Sequence, residues 1–103
     1  MMHNGLPSEE ERRRAKKRLE EEALMLARES KWEDAAEKNR EVLELYPKDI
    51  SAMNRLGKAL LEQGRYKDAH KVYSQALELD PMNTIAQKNV ERLANVEEKD
   101  HAA

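Results

Sequence analysis

Apolar side chains return at steps of three and four along most of the chain: Leu19, Ala23, Leu26 and Ala27, then Met53, Leu56, Leu60 and Leu61, then Tyr73, Ala76 and Leu77, then Ala86, Val90 and Leu93. That spacing puts each set on one face of an α-helix and leaves the charged residues on the other. Sustained alternation of apolar and polar residues is missing and β-branched residues are few, so no strands are expected. Start and stop signals divide the pattern into five helices, at 8–29, 33–46, 49–62, 66–79 and 83–97. Ser8 with Glu11 has the spacing of a capping box, as does Ser30 with Glu33. Asp49 and Asn83 offer side-chain acceptors to open the third and fifth helices, Gly64 suits a tight turn, and Pro47 and Pro81 each stop the helix before them. The fold class is all-α, one domain over 8–97, with 1–7 and 98–103 read as flexible tails.

The pattern also recurs at long range. Residues 16–49 laid over 50–83 pair Leu26 with Leu60, Asp34 with Asp68, Ala35 with Ala69, Leu43 with Leu77 and Pro47 with Pro81. Near-equivalents fill in between: Ala23 over Gly57, Trp32 over Tyr66, Val42 over Ala76. A period of thirty-four residues points to stacked helical hairpins, each burying its neighbour's apolar face. The small residues Ala23, Ala35, Gly57 and Ala69 let paired helices approach closely, and the rings of Trp32 and Tyr66 stand where each second helix begins, placed to cover a turn.

The stretch MNRLGKALLEQGRYKDAHKVYSQALELDP resembles the tetratricopeptide repeat. Starting that repeat at Ile50, its signature falls on Met53, Leu56, Gly57, Leu60, Ala69, Tyr73, Ala76 and Pro81, with Met53, Leu60 and Tyr73 in places where the family usually has Trp, Tyr and Phe. The copy from Lys16 is looser: Leu19, Ala23, Leu26, Ala35 and Pro47 fit, whereas Glu22 and Asn39 stand in places usually apolar. The resemblance implies a right-handed superhelical stack of antiparallel helix pairs, with repeats at 16–49 and 50–83. Helix 83–97 has the apolar positions of a further first helix but carries Glu91 where hairpin packing asks for Gly or Ala, so it is expected to act as a cap. Upstream, Arg13 holds the place of a repeat-ending proline, and no earlier repeat is expected.

Composition narrows the function classes. Of 103 residues, 19 are Lys or Arg and 21 are Asp or Glu, so no summed field of either sign draws the chain to nucleic acid or an anionic membrane. The absence of cysteine removes disulfides, thiolate metal sites and cysteine nucleophiles, and accords with a cytoplasmic protein. His70 and the tail histidines His3 and His101 stand apart, no zinc spacing or glycine-rich phosphate loop is present, and paired carboxylates are the background of charged helices. No enzyme, metal or cofactor is expected. The densest motif is ERRRAKKR at 11–18. It is read either as a solvated helical extension, its charges paired through Glu9 with Arg13, Glu10 with Arg14 and Lys17 with Glu21, or as a contact for RNA or DNA.

In proteins resembling this one, the first helices of successive repeats line a groove that receives a partner's peptide or helix. Carried onto this chain, that face comprises Lys17, Glu20, Leu24, Asn54, Lys58, Leu61, Ile85, Lys88 and Arg92. Its apolar members rimmed by Lys58, Lys88 and Arg92 suit an amphipathic or mildly acidic segment. The family's clamp for chaperone carboxyl termini does not carry over, since its five places hold Glu20, Leu24, Arg55, Ile85 and Asn89. The function expected is a non-catalytic protein–protein interaction module. Self-association, the same leucines packing against a second copy, and nucleic-acid binding through 12–18 are the alternatives.

Overall fold

The computed structural model describes residues 5–96. Five helices follow one another: α1 (Glu9–Arg28), α2 (Trp32–Leu45), α3 (Ile50–Glu62), α4 (Tyr66–Leu79) and α5 (Thr84–Leu93). Each packs on the next, α1 on α2 through α4 on α5, and among the described residues there is no strand. The result is an all-α stack of helix pairs. None of its helices is long and apolar enough to cross a membrane. The parts of the expected tails at 1–4 and 98–103 lie outside the described residues; Gly5, Leu6 and Pro7 are exposed and non-helical.

The core follows the predicted faces. Leu56, Leu60, Ala69, Tyr73, Ala76, Ala86 and Leu93 form one buried cluster with Ala35 and Met53, and Leu19, Val42 and Ala52 form a second between the first three helices. Glu22 stands in the first copy where Leu56 stands in the second. Its carboxylate meets Lys38 of α2 at 3.5 Å, and Lys38 in turn stands where the second copy has Val72, a residue packed on the core. An ion pair across the first hairpin thus stands where the second copy has two residues of its apolar core.

Local chemistry explains most helix ends. Ser8 Oγ accepts from the Glu11 N–H while the Glu11 carboxylate accepts from the Ser8 N–H, closing the predicted capping box. Asp49 and Asn83 accept from the N–H groups of Ala52 and Ala86. Pro47 and Pro81 also shape the chain after each helix end. Each sits second in a four-residue turn closed by a hydrogen bond, Asp49 N–H to Tyr46 O and Asn83 N–H to Asp80 O, a place that proline's fixed φ favours.

Two expectations are corrected. Ser30 does not cap α2, whose N-cap is Lys31 with no side-chain hydrogen bond. Ser30 instead adopts a left-handed φ of 60°, at the place where the second copy has Gly64 at 77°. Both residues close the same helix ending: Lys31 N–H reaches Leu26 O and Ser30 N–H reaches Ala27 O, just as Arg65 and Gly64 reach Leu60 and Leu61. A serine there carries a left-handed strain that glycine does not, so Ser30→Gly should raise stability by about 1 kcal/mol and Gly64→Ser lower it by a similar amount in urea titrations. An unchanged midpoint for both would show the turn to be unstrained.

The second correction concerns α5, which stops at Leu93 rather than running to 97. Leu93 is its last buried residue. The N–H groups of Asn95 and Val96 bond three residues back, to Arg92 and Leu93, and Ala94, Asn95 and Val96 are all exposed, so no apolar face supports another turn.

Candidate functional site

A groove of about 630 Å³ opens along the stack, lined from all five helices. Ala23, Leu24 and Ala27 come from α1, Trp32, Ala35 and Asn39 from α2, Asn54, Arg55 and Lys58 from α3, Tyr73 from α4, and Ile85, Lys88, Asn89 and Arg92 from α5. Six of the nine expected groove residues are here: Leu24, Asn54, Lys58, Ile85, Lys88 and Arg92. Leu24 and Ile85 are about half exposed, at 45% and 53%. Leu61 is turned inward, half-buried against the main core. Lys17 and Glu20 border a separate shallow depression with Glu9, Arg13, Lys16 and Tyr46.

Glu20 nevertheless acts on the groove through Arg55. The Arg55 guanidinium donates from Nη2 to Glu20 at 3.1 Å and from Nε to Asn39 Oδ1 at 2.9 Å, and Asn39 Nδ2 donates to Ala35 O at 3.0 Å. Asn39 is 2% exposed. The matching place thirty-four residues on holds Tyr73. Here Asn39 is a buried amide with both its oxygen and its nitrogen bonded, and it pins a cation into the groove wall, tying α1, α2 and α3 together.

The second copy builds the opposite wall differently. Tyr73, equivalent to Asn39, lays its ring on Gly57: a Cβ on that glycine would lie 2.6 Å from Cζ and 2.7 Å from Cε2 of the ring. Ala23, equivalent to Gly57, has room for its Cβ opposite the smaller Asn39. Burial pushes the Tyr73 phenol up to about 12, with Arg92 drawing it down and Glu62 pushing it up to lesser extents. Trp32 lines the groove as well as the turn, and Lys58 Nζ lies 5.9 Å from its ring centre. Tyr66 borders a different hollow with His70 and Leu93.

The basic run of α1 is largely engaged within the chain. Arg12 pairs with Glu9, donates to Leu45 O and stacks on Tyr46. Arg13 meets Glu9 at 3.6 Å, Arg14 meets Glu10 at 3.8 Å and Arg18 meets Glu22 at 3.7 Å. Lys17 makes no ion pair with Glu21, nor with another carboxylate among the described residues. Lys16 reaches Asp49 at 2.7 Å and also lies over Tyr46.

The Lys16–Asp49 pair fixes α1 to the start of α3. Burial pushes the Asp49 carboxyl up, but hydrogen bonds from Lys16 and from the Ala52 N–H outweigh it and hold it below its ordinary 3.8. A carboxyl depressed in the folded state contributes its stability above the unfolded-state value and loses it as pH falls through the folded one. Asp49→Asn keeps a capping acceptor but removes the charge, so it should cost up to about 1 kcal/mol at neutral pH. That difference should vanish below the folded pKa. Denaturation of both proteins across the acid range checks it; a gap that persists to the lowest pH would assign the effect to capping.

Against known proteins, the family model of the tetratricopeptide repeat matches residues 50–83. Among curated proteins, none matches the chain.

Proposed function

Residues 50–83 match the tetratricopeptide repeat and the five helices fit a stack of that kind, and from this premise we propose that the chain is a non-catalytic module that receives a segment of another protein in its groove. Tetratricopeptide repeats serve in general as protein-interaction modules, and the observation that carries the finer reading is the groove itself. It leaves Leu24 and Ile85 half-exposed on facing elements, where folding alone would favour their burial. In this reading 16–49 and 50–83 are the two repeats, and α5 covers the second while presenting Ile85, Lys88 and Arg92 to the ligand. Glu91 is exposed on α5, in keeping with a capping helix. The scaffold does not name the pathway. Internal pairing of most of the 12–18 charges disfavours nucleic acid as the ligand, since phosphate affinity needs cations free to release counterions.

The test is positional. A photo-crosslinking residue at Leu24 or Ile85 should give discrete adducts with another protein in extract, whereas one at Lys71, exposed and outside the groove, should not. Adducts of twice the chain's own mass would instead support self-association, and adducts formed equally at all three positions would remove the groove from the account.

A further inference from the structure

We infer that the groove selects an acidic segment anchored by an aromatic side chain, with the carboxylate read by α5; this rests on the groove being the binding site. The chain as a whole carries a net charge of −2, yet the groove lining contains four cations, Arg55, Lys58, Lys88 and Arg92, and no carboxylate. These cations are not equivalent. Arg55 is held by Glu20 and Asn39, and Lys58 by Glu62 at 2.7 Å. Lys88 has no ion pair or side-chain hydrogen bond among the described residues, and Arg92 bonds a neutral partner, Asn89, at 2.8 Å. They stand four apart and both are exposed, so one carboxylate can bridge a single face of α5.

The opposite side of the groove is apolar. Ala23, Ala27 and Ala35 are small, and the Trp32 ring stands beside them. Ala23 and Ala35 are themselves buried, so the surface this side offers a ligand is the exposed Leu24, the part-buried Ala27 and the Trp32 ring. A part-exposed indole beside short aliphatic surface stacks a flat ring better than it packs a branched chain. The ligand therefore carries Phe, Tyr or Trp for the α1–α2 wall and Asp or Glu for α5.

The test uses the full chain as bait for a random linear peptide library displayed on phage. Enriched peptides should pair an aromatic residue with a nearby acidic one and lose about tenfold or more in affinity for Lys88→Glu/Arg92→Glu. Replacing the peptide's acid with Lys should restore binding to that variant, a rescue that misfolding cannot produce. Peptides that are displaced from the groove by Ile85→Asp yet show no acidic preference would overturn the inference while leaving the groove reading intact. Peptides indifferent to both variants bind elsewhere and would overturn both. A chain that sediments as a dimer and becomes monomeric in Lys88→Glu/Arg92→Glu would place a second copy in the groove, overturning the inference as well.

Discussion

Gly57→Ala should lower stability by about 2 kcal/mol, which for a domain of this size moves the melting temperature down by roughly 10 °C. Helix propensity alone argues the other way, because Ala in a helix interior is favoured over Gly by about 1 kcal/mol. The contact decides the sign. The new Cβ would meet the Tyr73 ring at 2.6 to 2.9 Å along three of its carbons, and Tyr73 is 1% exposed. The ring would have to slide toward the groove, giving up packing against Leu60, Ala69 and Ala76 in the same core cluster. The reversal of sign gives a clean check. In a Tyr73→Ala background the obstruction is gone, and Gly57→Ala should then stabilise by about 1 kcal/mol. If Gly57→Ala is destabilising in both backgrounds, the Tyr73 ring is not the cause.

Asn39→Leu should also cost about 2 kcal/mol in denaturant titrations, although it places an apolar residue where the repeat usually has one. Leucine branches at Cγ as asparagine does, though it is bulkier. It has no acceptor for Arg55 Nε, and the half-buried guanidinium would keep only its contact with Glu20. Removing one partner of a buried hydrogen bond costs the desolvation of the other, whereas removing both is close to neutral. Asn39→Leu/Arg55→Met should therefore recover most of the loss. A double variant no more stable than Asn39→Leu would show that the amide is needed for shape rather than for its bond to Arg55.

These two variants mark the boundary between what local spacing reveals and what it conceals. Five helices were legible because a period of three and four needs only residues one turn apart, and the caps at Ser8, Asp49 and Asn83 because each acts on an N–H three residues on. The thirty-four-residue period carried the stacking, and Gly57 read correctly as a close approach. Other features rest on distant partners. That Ser30 turns left-handed is visible only beside Gly64, since both close the same helix ending. That α5 stops early depends on the lack of anything to pack on after Leu93.

The candidate site divides in the same way. Leu24, Asn54, Lys58, Ile85, Lys88 and Arg92 line the groove as their register predicts, because helices in a repeat present the same face each time. Leu61, Lys17 and Glu20 do not, since a helix's rotation against its neighbours is set by the packing of whole faces. Asn39 and Arg55, sixteen residues apart and on different helices, form a pair that no motif announces.

By itself, then, the sequence determined the helical class, the two-copy period, most boundaries and most of the helix face that lines the groove, all of which follow from short-range periodicity and turn chemistry. The tertiary structure alone decided which cations among the described residues are spent on internal partners and which stand free, and that the buried Asn39 amide holds Arg55 in the groove wall. Pairing and burial are properties of three-dimensional neighbours, and in this chain the decisive neighbours lie on different helices.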